Sequence, residues 1–201
     1  LVGNAVLIAI ATLTGMKAFE TGYSTSFLSR RSFGRHGSSV FSFLLVISSV
    51  TWIALNAEIF ASLIIDTFSW WILPVSITSV LCIGLWLLSA VKGFEGLEKV
   101  AVLGVPAALI MSIIGVVAAI IKTGGTAVIL GYKPSELLSF SAGTASVVGG
   151  WVFGATISPD VCRFAKSKKD SAVATIIAFV LGCFGLQLAG AIVAIATGHG
   201  D

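Results

Sequence analysis

An indole and a carboxamide one helical turn apart are the side chains best equipped here to grip a flat, nitrogen-rich ring. Trp52 and Asn56, with Ser48 or Ser49 one turn before them, recur at helical spacing and so share one face. The indole offers a stacking surface, and the amide offers both a donor and an acceptor. The same pair also fits a plainer reading, in which Asn56 bonds a neighbouring helix and Trp52 packs or faces lipid. Glu58 lies about 200° around the helix from Asn56, on a face with Thr51 and Ser62, so it does not share the ligand face. A carboxylate in an apolar run is a candidate for gating or protonation. The preferred reading of Glu58 is a neutral, hydrogen-bonded packing residue near the outer end of its span.

A second constellation fills Ser141 to Asp170. Gly149 and Gly150 are adjacent, Trp151 and Phe153 follow, then Gly154 and Ser158-Pro159-Asp160. Inside a helix each Gly costs about 1 kcal/mol against Ala, and Pro about 3 kcal/mol. Ser158 before Pro159 also reads as an N-cap with proline in the first turn, and Asp160 then suits that turn's dipole. These signals predict two half-helices with an unwound hinge between roughly Gly149 and Ser158. Unwound backbone is tolerated in hydrocarbon only where it lines a cavity or is buried in protein. A break here is therefore a candidate binding site; a glycine kink that only lets helices pack closely fits the same residues. Gln187, a lone amide in the last apolar run, reads as helix glue.

The elements that must carry these residues are membrane helices. Of 201 residues, 57% are hydrophobic and 10% charged, where a soluble domain carries about 25% charged residues. The fold class read from this is an all-α polytopic membrane protein. One incomplete transmembrane domain covers residues 1–201, with six spans at about 1–19, 39–65, 69–91, 101–121, 141–165 (the broken one) and 171–197. The chain opens at Leu1 inside an apolar run and stops just past another, so it reads as a piece of a longer transporter-sized protein.

Charge gives the orientation. Ten of the twelve basic residues fall on alternate connections: Lys17, Arg30, Arg31 and Arg35; Lys92 and Lys99; Arg163, Lys166, Lys168 and Lys169. The positive-inside rule makes loops 20–38, 92–100 and 165–170 cytoplasmic in a multi-pass protein of the cytoplasmic membrane. Trp70-Trp71 suits the opposite interface, and Pro134-Ser135-Glu136 predicts a short interfacial helix in the long outer connection. The net charge of +3 is read as topology rather than as a footprint for nucleic acid. Cys82, Cys162 and Cys183 have neither disulfide nor metal spacing. No HExxH, no GxxxxGK[ST] and no paired catalytic carboxylates occur, so no enzyme, cofactor or resident metal is expected.

Two blocks carry a family resemblance. TGYSTSFLSRRSFGRHGSSV, from Thr21 to Val40, resembles a cytoplasmic loop of the nucleobase–cation symporters, the purine/cytosine permease-like transporters. WVFGATISPDVCRFAKS, from Trp151 to Ser167, resembles their sixth helix, with its Asp-x-x-Arg-Phe element at Asp160, Arg163 and Phe164. The order of blocks and spans is similar to that family from the second helix to the seventh. The resemblance implies a five-plus-five inverted-repeat fold and cation-coupled symport of a nucleobase. It also implies a ring sandwiched by aromatics at the positions of Trp52 and Trp151. Asn56 would stand at a polar position one turn on, and unwound backbone at Gly149 and Gly150. Members that take cytosine carry Phe at the position of Trp151 and serines at those of Gly150 and Phe153. The implied substrate is thus a small planar heterocycle, with hydantoin, allantoin or a pyrimidine vitamin precursor as alternatives. The implied coupling ion is Na⁺ or H⁺, with its site outside this stretch. The implied partners are membrane lipid and the remaining helices of the same transporter. A channel or a non-transporting scaffold is the rival class.

Overall fold

Hydrocarbon leaves no water to satisfy backbone polar groups, and the chain answers with helices throughout. The computed structural model describes residues 1–134 and 138–198. In chain order they form α1 (Val2–Thr21), α2 (Thr25–Thr67), α3 (Val75–Ala90), α4 (Gly93–Lys122), the single turn α5 (Ala127–Leu130), α6 (Phe140–Cys162) and α7 (Lys168–Ile177). A π-helical segment (Ala178–Gly185) then leads into α8 (Leu186–Thr197). No strand occurs among the described residues. The chain is thus an all-α polytopic membrane segment. By length and composition α1, α2, α4, α6 and the continuous run Lys168–Thr197 can each cross a membrane. The span expected at 69–91 is shorter, because Pro74 is extended and the helix starts only after it, leaving 16 residues in α3. The expected helix at Pro134-Ser135-Glu136 falls largely outside the described residues.

Two compact units are present, Leu1–Leu28 with Val105–Asp201, and Ser29–Gly104. In the first, α1 packs chiefly on α6 and α7. Its buried face carries Gly3, Leu7, Ala11, Gly15 and Ala18 at near four-residue spacing, and all but Leu7 are small residues that let backbones approach. The approach is close enough that a Cβ at Gly15 would lie 2.7 Å from Cys162 Sγ, and one at Gly3 2.9 Å from Val147 Cβ. Polar bonds thread the same unit. Cys183 Sγ donates to Asn4 Oδ1 (3.1 Å), and Asn4 Nδ2 donates to Gln187 Oε1 (3.4 Å). Gln187 therefore does act as glue between helices. Glu20 pairs with Lys17 at 2.9 Å and with Lys168, tying the end of α1 to the start of α7.

The expected break in the fifth span is not there. Helix α6 runs unbroken through Gly149, Gly150, Gly154 and Pro159. Its N-cap is Ser139, whose side chain accepts from Ala142 N. Three glycines cost about 3 kcal/mol in propensity, whereas each backbone group freed in hydrocarbon costs several kcal/mol. Without another partner for those groups, the helix wins. Pro159 is accommodated because Ser158 Oγ donates to Ala155 O at 2.9 Å, the carbonyl that a residue 159 N–H would have used. The same hydroxyl reaches Ala11 O on α1 at 3.1 Å.

The expected loop at 20–38 is also mostly helix. Only residues 22–24 separate α1 from α2. The irregularity sits at Gly34, with φ 66 and ψ −173 inside the helical run, a combination open essentially to glycine alone.

Within the unit Ser29–Gly104, α2 buries Ala57 and Ala61, and α3 buries Thr78 and Cys82. Phe60 meets Trp86 at 6.0 Å between ring centroids. Trp71 Nε1 donates to Thr78 Oγ1 at 2.9 Å, tying the residues ahead of Pro74 to the first turn of α3.

Candidate substrate-binding site

Helical periodicity places Trp52 and Asn56 on one side of α2, and a hydrogen bond joins them. Asn56 Nδ2 donates to the Trp52 carbonyl at 2.7 Å. That bond spends one amide hydrogen on the helix itself and fixes the carboxamide beside the indole. Its oxygen and second N–H still have chemistry to offer a ring edge. Trp52 is 39% exposed and Asn56 is exposed. Ser49 Oγ is turned onto Leu45 O at 2.7 Å, so the preceding hydroxyl is also committed to its own helix.

Glu58 is exposed on α2. Its two expected companions bond their own backbone: Thr51 Oγ1 to Ile47 O, and Ser62 Oγ to Glu58 O, each at 3.0 Å. The hydroxyls on that face therefore serve the helix rather than the Glu58 carboxylate.

The other predicted residues stand on α6. Gly149, Gly150 and Trp151 are exposed, Phe153 and Gly154 are half-buried, and Pro159 is buried. Space is open where a Cβ would stand at Gly149, Gly150 and Gly154. The backbone at Gly149 and Gly150 is helical, so its amides and carbonyls bond within the helix and do not line the expected break. What α6 offers instead is the indole of Trp151, 37% exposed. Trp52 and Asn56 belong to the unit Ser29–Gly104, and the α6 residues belong to the other.

Sequence reading missed Asn4, which is buried in α1 and bonds both Cys183 and Gln187. The available signal was a carboxamide inside an apolar run, the reasoning that singled out Asn56. It also expected Asp160 to serve the N-terminus of a second half-helix within its own span. Asp160 sits within α6, and its carboxylate serves the first turn of α2, where Thr25 N donates to Oδ1 at 3.2 Å. An acid at a helix N-terminus is favourable whichever helix supplies it.

A cleft of about 320 Å³ opens between α4 and the π segment with α8, lined by Leu109, Ile113, Val117, Leu181 and Leu186 among others. Ser112 also lines it, but its hydroxyl is bonded to Ala108 O at 2.7 Å. None of the predicted site residues lines it. The lining is almost wholly apolar, with few groups to fix the orientation of a polar ligand. Among the described residues no His, Cys, Asp and Glu groups are placed to hold a metal ion.

The family model described as permease for cytosine/purines, uracil, thiamine, allantoin matches residues 1–200. The cytosine permeases of Escherichia coli strains K12 and O6:H1 (CFT073) are each 30% identical to this chain over 209 aligned positions. That of Escherichia coli O157:H7 is equally similar. The alignment covers 100% of this chain and 47% of each relative, so the chain spans about half the length of the curated relatives it matches.

Proposed function

This chain belongs to the family of permeases for cytosine/purines, uracil, thiamine and allantoin, and on that premise we propose that its activity is secondary active transport of a nucleobase across the cytoplasmic membrane. The observation that carries the reading is the extent of the family match, residues 1–200, which takes in both α2 and α6. Trp52 stacks on the ring, Asn56 hydrogen-bonds its edge, and Trp151 supplies a second aromatic face. Stacking on an indole is tolerant of ring type, whereas the amide discriminates by donor and acceptor pattern. The family description also names uracil, thiamine and allantoin; allantoin, hydantoin and a pyrimidine vitamin precursor stand as alternative substrates. Uptake is coupled to Na⁺ or H⁺ bound outside this stretch, and the basic connections face the cytoplasm.

The test is intrinsic tryptophan fluorescence of the full-length protein in detergent, titrated with cytosine, uracil, hypoxanthine, hydantoin and allantoin, with and without Na⁺. Saturable quenching by one ring, matched by ionophore-sensitive uptake of that ring in cells, supports the proposal. Binding without uptake would point to a scaffold, and uptake indifferent to ionophores to a channel. Folded protein that answers no ring would remove the nucleobase reading.

A further inference from the structure

We propose that the basic arm at the start of α2 docks onto anionic phospholipid headgroups. Helix α2 is 43 residues long. At about 1.5 Å per residue it would reach ~65 Å if straight, roughly twice the ~30 Å hydrocarbon core. A single crossing needs only about 20 residues, and charge says which part lies outside the hydrocarbon. Arg30, Arg31, Arg35 and His36 fall within seven positions, and no charged residue follows until Glu58.

Gly34 breaks helical geometry in the middle of that cluster, so the chain bends where its polarity changes. Ser38 and Ser39 both donate to Arg35 O, at 2.9 and 3.1 Å, and hold the backbone just past the bend. All four basic residues are exposed. Phe33 is 60% exposed and stacks on Phe41 across the bend, with ring centroids 5.7 Å apart. These residues all belong to the unit Ser29–Gly104.

Guanidinium groups bracketing an exposed aromatic, at the foot of an apolar span, suit the headgroup layer. The forks bind phosphate oxygens, and the ring enters the glycerol and upper acyl region. The basic residues of the arm are all exposed, and a lipid surface presents phosphates side by side at high local density. The inference rests on the arm alone and stands or falls independently of the transported substrate.

Hydrogen exchange of the full-length protein in nanodiscs tests it. In phosphatidylglycerol, amides of residues 25–41 are expected to exchange about fivefold more slowly than in phosphatidylcholine, an effect that fades at high salt. The triple variant R30Q/R31Q/R35Q is expected to lose the difference, R30K/R31K/R35K to keep most of it, and K122Q/K133Q to keep it all. Equal exchange of the wild-type arm in the two lipids overturns the proposal without any variant having to fold. So does equal protection in phosphatidylcholine on adding inorganic phosphate, which would assign the arm to a soluble anion. Unchanged protection in the folded glutamine variant would do the same.

Discussion

The Asp160 carboxylate accepts a hydrogen bond from the Thr25 backbone N–H at 3.2 Å, across 135 positions of sequence. Thr25 Oγ1 returns a bond to Thr156 O at 3.2 Å. Together these fix the first turn of α2 to the last turns of α6, within one compact unit. A helix start with orphan N–H groups is thereby satisfied by an acid from another helix.

Removing that acid should loosen the joint. Asp160→Ala is expected to destabilise by about 1–2 kcal/mol, the usual cost of a lost cap. Asp160→Asn keeps an acceptor oxygen and should cost about half as much. Thermal unfolding of the full-length protein reads both, and an Ala variant as stable as wild type would show that the bond contributes nothing.

The contact of α1 with α6 makes a sharper prediction. Gly15→Ala places a methyl 2.7 Å from Cys162 Sγ and 3.2 Å from its Cβ. Overpacking of this kind costs about 1–3 kcal/mol. Cys162→Ala in the same background removes the nearer atom and should recover part of the loss, a coupling of about 0.5–2 kcal/mol in a double-mutant cycle. Strict additivity of the two changes would place the strain elsewhere.

Gly149→Ala and Gly150→Ala should behave in the opposite way. Both positions are helical, and an added Cβ meets nothing within 4 Å. Each substitution is expected to be neutral or to stabilise by up to about 1 kcal/mol, since alanine is the better helix former. A clear loss of stability in both variants would argue for an unwound segment in place of the continuous helix.

Ring binding tests the site proposal residue by residue. Trp52→Ala and Trp151→Ala should each weaken the affinity by about tenfold, roughly 1.4 kcal/mol, through loss of a stacking face. Asn56→Ala should weaken it by a similar factor and relax the choice among rings, because an edge-reading group is gone. Unaltered affinity in all three variants would take these residues out of the site and leave the family membership untouched.

What the sequence determined on its own follows from periodicity and from the price of burying charge. Apolar runs with few charges can only be helices in hydrocarbon, so α1, α2, α4, α6 and Lys168–Thr197 were all legible as spans. The shared face of Trp52 and Asn56 was legible for the same reason, since 3.6 residues per turn sets it before any packing occurs. The tertiary structure decided what each glycine is for. Gly15 admits Cys162, Gly34 bends α2, and Gly149 with Gly150 faces open space inside an intact helix. A missing Cβ looks the same in all three cases, and only the neighbouring atoms tell a close contact from a bend or a bare surface. Tertiary structure likewise paired the Asp160 carboxylate with the first turn of α2 and joined Asn4 to Cys183 and Gln187. Hydrogen bonds between residues more than a hundred positions apart depend on where helices cross, and a helix's own sequence carries no record of its neighbour's position.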